Sequence, residues 1–226
     1  MTASSQALAG LRSESTVREA RPPVPVTIRA ARLDDVEPIL ALHREAFADK
    51  FGGAFGRGGV ERGANALATA WRRQGPSAMR GMLVADHEGQ VIGTTTVRTW
   101  EMGGDDGSAA ELAFQEELGL WGATRSLFAL SLLDHHIERG EGFITDVAVL
   151  APYRRGGVAR ALLARAEQEA RLRSKRFLGL YVSASNAGAR ALYRKLGFRE
   201  VRTRRSLLAW LIFGQGRWLY MRKELL

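Results

Sequence analysis

Four kinds of residue in this chain could do chemistry in water, and they cluster. The segment Asp146-Val-Ala-Val-Leu-Ala-Pro-Tyr-Arg-Arg-Gly-Gly-Val-Ala159 joins an apolar, β-branched run to a basic, glycine-containing turn that opens a helical pattern. That arrangement is suited to an anion. The first N–H groups of a helix have no intrahelical carbonyl, and the helix dipole favours negative charge beside them. Gly156 and Gly157 let backbone come close to phosphate oxygens, and Arg154 and Arg155 add charge. The turn lacks the Gly-Lys-Ser/Thr of a P-loop and is not a G-x-G-x-x-G dinucleotide turn. Further on, Asn186, Tyr193 and the Leu196-Gly197-Phe198 triplet share one short helical segment. Tyr193 is there either a core aromatic, in helical spacing with Leu192 and Leu196, or a proton donor.

Other chemistry is excluded by composition. There are no cysteines among the 226 residues, so no disulfide framework, thiolate nucleophile or cysteine metal site is expected. The four histidines, His43, His87, His135 and His136, show no zinc-like spacing, and no metal is expected. The net charge of +9 attracts anions, whether nucleic acid or a polyphosphate cofactor. The basic run Arg199, Arg202, Arg204 and Arg205 has no interleaved aromatic readout motif and reads as a solvated face, so no nucleic-acid partner is expected. No run approaches the roughly 20 apolar residues of a membrane helix, and residues 1–25 lack a secretion-signal core, which points to a cytoplasmic protein without a membrane partner.

The elements that must position these groups are legible in outline. Residues 1–25, ending Pro22-Pro-Val-Pro25, read as a mobile tail, and 26–226 as one domain. Val26–Arg29 alternates as a strand. Asp35 caps a helix to about Ala48 and puts Pro38 in its tolerated first turn. Gly52–Gly59, with five glycines, reads as a loop, and Val60–Arg73 as a helix. Met82–Ala85 and Gln90–Val97 form a hairpin, and Phe143–Val149 and Phe177–Val182 are strands. Val158–Arg173 and Ala187–Leu196 are helices, and Phe198–Leu208 and Arg217–Met221 are the last strands. Between the hairpin and Phe143, residues 101–141 include a helical pattern from Ser108 to Glu138, with Thr124 as a cap, Gly140 as its end, and His135 and His136 in its last turn. Such alternation implies an α/β or α+β fold on a mixed sheet.

Arg154-Arg-Gly-Gly-Val-Ala159 resembles the R/Q-x-x-G-x-G/A signature of the GNAT superfamily of N-acetyltransferases, with Ala159 in place of the last glycine. Ser185-Asn186 followed by Leu192-Tyr193-Arg-Lys-Leu196-Gly197-Phe198 resembles that superfamily's second element, and the likeness runs over roughly 26–226. The resemblance implies the acyl-CoA N-acyltransferase fold: a mixed, mostly antiparallel sheet flanked by helices, here with 101–141 as a helical insertion between strands 3 and 4. It implies acetyl transfer from acetyl-CoA, as cosubstrate, to an amine that is a small molecule or a peptide. It also implies that the backbone of Val147, Ala148 and Val149 meets the pantetheine arm. The turn of Arg154, Arg155, Gly156, Gly157, Val158 and Ala159 would hold the pyrophosphate. Asn186 would contact the cofactor, and Tyr193 would stand near the sulfur.

The base is less determined. Asp146 is one candidate, though alternation turns it away from Val147 and Val149, and its other reading is a structural carboxylate. Glu141 is another. Ribosomal-protein acetyltransferases of this superfamily carry a Glu in a position that here reads as Tyr181, which speaks against a substrate of their kind. The insertion, with Leu118, Trp121, Phe128 and Leu132 in helical spacing, is either extra packing, against the domain or the partner of a homodimer, or a lid over an amine pocket. Trp210, Trp218 and the run Leu207–Phe213 could wall the same pocket, which would suit an apolar or aromatic amine. Rival expectations are a non-catalytic acyl-CoA-binding protein on this fold and a transferase of a longer acyl group.

Overall fold

A computed structural model describes residues 23–56, 58–103, 107–132 and 134–225 of the chain. The expected tail lies outside these residues apart from its last three. Seven strands form one sheet: β1 (Thr27–Ala30), β2 (Met82–His87), β3 (Gln90–Thr99), β4 (Glu141–Val149), β5 (Phe177–Ser183), β6 (Arg199–Arg205) and β7 (Arg217–Glu224). Their order is β1-β2-β3-β4-β5-β7-β6, and β4–β5 is the parallel pair. The other pairings are antiparallel. Parallel strands need a crossover, and α5 (Val158–Leu172) supplies it.

Helix α5 is amphipathic because Val158, Leu162, Ala166 and Ala170 recur on one face, which is buried on the sheet against Leu83, Ile92, Leu178 and Met221. α6 (Ala187–Lys195) adds Tyr193 to this core. A second cluster gathers α1 (Val36–Ala46) and α3 (Val60–Gln74) with β2 through Val36, Ile39, Leu40, Ala68 and Val84. A third joins α2 (Ala48–Phe55), α4 (Gly107–Ser131) and α7 (Leu207–Phe213) through Phe51, Phe55, Phe114, Ala123 and Phe213. No helix among the described residues is long and apolar enough to cross a membrane.

Four local expectations change. Of the glycine-rich stretch Gly52–Gly59 read as a loop, the first half, Gly52–Phe55, is the end of helix α2, and Gly56, Gly58 and Gly59 lie outside it. A Cβ on Gly53 would fall 2.5 Å from the carbonyl oxygen of Ile212, so this glycine admits a neighbouring helix rather than a turn. The pattern read as one helix from Ser108 to Glu138 breaks at Gly119 (φ 71°, ψ 170°) and ends at Ser131. Thr124 is therefore no cap; its hydroxyl donates to Leu120 C=O, one turn back, at 2.9 Å. His135 and His136 lie beyond the helix, in a segment without regular secondary structure. The last expected strand pair is interrupted: β6 stops at Arg205, and Ser206 caps α7, its Oγ accepting from Ala209 N–H at 3.1 Å. Asp35 does stand at the N-cap position of α1, but its carboxylate accepts from Arg32 N–H and from both Nη atoms of Arg29 instead of capping.

Candidate active site

β4 and β5 pair only from Glu141↔Phe177 to Ile144↔Leu180. Beyond Ile144 and Leu180 the two strands splay, and a cleft of 640 Å³ opens between them. The register of β3 against β4 shifts at the same point. Thr96 faces Asp146 while Val97 faces Ile144, so Thr145 is an extra residue, a β-bulge that bends the strand at the cleft.

The open side of β4 presents backbone. Leu150 N–H donates to Ile92 C=O at 2.9 Å, which turns the main chain of Leu150, and by alternation that of Ala148, toward β3. Val147 and Val149 then turn theirs to the splay, and Val149 C=O accepts from Arg154 Nε at 2.9 Å there. Ala148 reaches the cleft as part of its wall rather than through its peptide groups.

After β4 the chain makes the basic turn. Arg155 (φ 68°) and Gly157 (φ 86°) are both left-handed, and Gly157 stands at the N-cap of α5 with no side chain to cap it. The first intrahelical bond is Ala161 N–H to Gly157 C=O at 3.0 Å, so the N–H groups of Val158, Ala159 and Arg160 have no carbonyl within the helix. The Val158 side chain is committed to the core, and only its amide serves the turn. Arg154 lies over the cleft, its Nη2 3.4 Å from Glu45 Oε1 of α1, and the same Glu45 oxygen accepts from Ala151 N–H at 3.0 Å. These donors fit a diphosphate: oriented amides, the positive end of α5, and two guanidinium groups on a turn that carries no carboxylate of its own.

The expected site residues fall into two groups. Asp146, Val147, Ala148, Val149, Arg154, Ala159, Asn186 and Tyr193 line the cleft, whereas Arg155, Gly156, Gly157 and Val158 form the turn at its end. Asn186 is the N-cap of α6, its Oδ1 accepting from Ala189 N–H at 3.0 Å. Tyr193 is buried, and the loss of water, together with the charge of Asp146, pushes its hydroxyl up to about 12. It therefore stays protonated through the physiological range.

Asp146 shows what sequence reasoning did not reveal. Its Oδ2 lies 3.4 Å from His43 Nε2 of α1, and both atoms are buried without a hydrogen-bond partner. Burial pushes the carboxyl up, but His43, Thr96 and Thr145 together hold it below its ordinary value. Lys50 of α2 stands close by, its Nζ 4.7 Å from the Phe47 ring and 5.5 Å from the Trp218 ring. Loss of water lowers the Lys50 ammonium, against the pull of Asp146. His43 and Lys50 lie far along the chain from the recognisable turn.

Glu141 takes a different place. It begins β4 and is fully buried, accepting from Tyr220 Oη at 2.6 Å and from Glu138 N–H at 3.1 Å, with His135 Nε2 at 2.9 Å. The burial raises the carboxyl and these donors lower it further, so it sits below its usual value, while Tyr220 is pushed up by burial and by Glu141. Glu141 does not line the cleft and anchors the floor beside it.

This geometry has relatives. The profile of the Acetyltransferase (GNAT) family matches residues 43–198. GCN5-related N-acetyltransferase 4, chloroplastic, of Arabidopsis thaliana is 28% identical over 188 residues, 78% of this chain and 62% of that protein. The [ribosomal protein bS18]-alanine N-acetyltransferase of Escherichia coli (strain K12) is 44% identical over 66 residues, 29% of this chain and 45% of that protein. The chain thus spans less than two thirds of the length of these curated relatives. Among solved structures, PaiA N-acetyltransferase from Thermoplasma acidophilum in complex with coenzyme A superposes with a TM-score of 0.56 at 14% identity, over 89% of this chain and 99% of that one. With the profile match spanning the strand splay, the basic turn and the tyrosine helix alike, the chain belongs to the acetyltransferase (GNAT) family.

Proposed function

We propose that this protein transfers an acetyl group from acetyl-CoA to a primary amine by direct attack in a ternary complex. One observation carries the reading. A single cleft brings together the splayed β4 backbone, the Arg154–Ala159 turn, a carboxylate at Asp146 and a protonated phenol at Tyr193. The amides of Val158, Ala159 and Arg160, with Arg154 and Arg155, would hold the diphosphate, and Val147 and Val149 would pair with the amide groups of the pantetheine arm.

The chemistry follows from the groups present. An alkyl amine has a pKa near 10.4 and must lose a proton to attack, so a base contributes about 10²–10⁴-fold. The amine nitrogen forms the new C–N bond, its proton passes to Asp146, the C–S bond breaks and the electron pair leaves on sulfur. The neutral Tyr193 hydroxyl donates a hydrogen bond to that sulfur. A thiol with a pKa around 8.5 leaves readily as its anion, so this help is worth less than that of the base. His43 is a positioning residue. Its Nε2 faces Asp146 Oδ2 at 3.4 Å from α1 and fixes where that carboxylate stands in the cleft.

Calorimetry with acetyl-CoA, together with a thiol-release screen over amines, amino acids, peptides and polyamines, tests the reading. Tyr193→Phe should lower kcat by about 10²-fold and leave the acetyl-CoA Kd within about twofold. Absence of any affinity for CoA or its acyl forms would overturn it.

A further inference from the structure

Beside the cofactor cleft lies a second chamber of 410 Å³. Lys50, Thr145, Tyr181 and Trp218 line both volumes, so the two are adjacent and share a wall. The chamber's size is at the lower end for small-molecule sites, which run from about 300 to 1,000 Å³, and suits a single small acceptor. Its walls come from segments that the GNAT motifs do not include: Leu130 and Ile137 around the end of the insertion, Phe143 of β4 and Ala209 of α7. Phe143 and Tyr181 stack around His135 at 4.1 and 5.5 Å between ring centres, which makes one side aromatic.

The charge in this chamber is one-sided. Lys50, Arg98 and Arg204 line it, against the carboxylate of Asp134. Asp134 stands at the exposed rim, where loss of water pushes its carboxyl up against the opposing charge of Arg204. His135 is committed to Glu141 beneath the wall. Arg204 spends Nη1 on the main-chain oxygen of Asp134 at 3.1 Å. Among the described residues no carboxylate makes an ion pair with Arg204 or Lys50; Asp134 and Asp146 act on them only at longer range, so two cations face an apolar chamber without a direct counter-charge. A free ammonium group entering here meets repulsion, while a carboxylate meets two partners. The same field lowers the pKa of an amine held in it and so enlarges the fraction able to attack.

We propose that the acceptor carries its own carboxylate: an apolar or aromatic α-amino acid. Its side chain lies against Phe143 and Tyr181, its carboxylate faces Lys50 and Arg204, and its amine is directed past the shared wall at Thr145 and Tyr181 toward Asp146. This rests on the acetyl-transfer reading and specifies its substrate. The transfer forms the N-acetyl amino acid and frees the thiol, with the amine proton taken by Asp146.

The test compares matched pairs on the full chain with acetyl-CoA: phenylalanine against phenethylamine, leucine against isopentylamine, and phenylalanine against its amide. A hydrogen-bonded charge pair is worth at least about tenfold, so kcat/KM for the acid should exceed that for its partner by that factor or more. Arg204→Gln and, separately, Lys50→Met should each reduce the acid-to-amine ratio about tenfold, mainly through the KM of the acid. Equal turnover within pairs, or preference for the decarboxylated amine, overturns the inference and leaves the transferase reading standing. Acetyl-CoA binding without turnover of any amino acid does the same. A protein that binds no acetyl-CoA overturns both.

Discussion

The two halves proposed for the site, one for the cofactor and one for the acceptor, are built differently. The cofactor half is made of backbone from one contiguous stretch, β4 through the start of α5, with glycine and the helix terminus supplying the geometry. The acceptor half is made of side chains from α2, β3, α4, the segment after α4, β4, β5, β6, α7 and β7, including Lys50, Asp134, Tyr181, Arg204 and Trp218. A backbone site depends on φ and ψ at a few positions and tolerates most side-chain changes. A side-chain site depends on which charge or ring each position carries. Substitutions should therefore act on opposite quantities: turnover and acceptor KM in one half, cofactor affinity in the other.

The sharpest separation should come at Asp146, on the cleft side of the shared Thr145. Asp146→Asn keeps the shape and removes the proton acceptor, and kcat should fall by about 10²–10⁴-fold with the acetyl-CoA Kd nearly unchanged. The pH profile sharpens the point. With Tyr193 pushed up to about 12, no alkaline limb from its ionisation should enter the kcat profile below that pH. With Asp146 held below its ordinary value, its own acidic limb should lie beneath the usual carboxylate range. Unchanged turnover in the Asn variant would remove Asp146 from the reaction and dissolve the proposed asymmetry.

Next in size is the support beneath the acceptor half. Glu141→Ala leaves His135 and Tyr220 buried without their partner and should cost about 3–5 kcal/mol of folding stability, read from the urea midpoint. The wild-type contribution depends on pH in a definite direction. The Glu141 carboxyl is lower folded than unfolded, so its stabilisation is present above the unfolded value of about 4.3 and is lost as pH falls through the folded one. The difference between wild type and variant should shrink on acidification, and a constant difference would contradict this.

The contrast also explains what was legible in the sequence. The cofactor half announces itself because Asp146–Ala159 and Asn186–Phe198 are continuous, and a turn followed by a helix is a local event. The α/β fold follows from the same local periodicities. The acceptor half depends on contacts distant in sequence. Gly53 is a glycine inside a helix, with no room for a Cβ beside the Ile212 carbonyl, a fact no local window holds. His135 leaves the helix because α4 stops at Ser131, after a break at Gly119 that a periodic pattern hides. Arg202 and Arg204 read as a solvated basic run, yet on β6 they reach Tyr181 Oη at 3.2 Å and the Asp134 carbonyl at 3.1 Å. Their role is set by which strand lies next to β7, not by their own neighbours in the chain.

The smallest expected effect tests the cofactor half directly. Gly157 has φ 86° at the N-cap of α5, and a Cβ there meets no atom within 4 Å, so Gly157→Ala introduces backbone strain without a clash. An L-residue in the left-handed region costs about 1–2 kcal/mol, which the turn can relieve by rotating its amides away from the anion site. The acetyl-CoA Kd should rise about tenfold, since 1.4 kcal/mol is one decade, while kcat at saturation and the acceptor KM stay near wild type. The exposed Arg155 at φ 68° is the control: Arg155→Gly relieves strain of the same kind but removes a charge. If amide geometry dominates, the Arg155 variant should lose less affinity than the Gly157 variant. If it loses more, the diphosphate is held chiefly by side-chain charge, and the cofactor half is built on the same plan as the acceptor half.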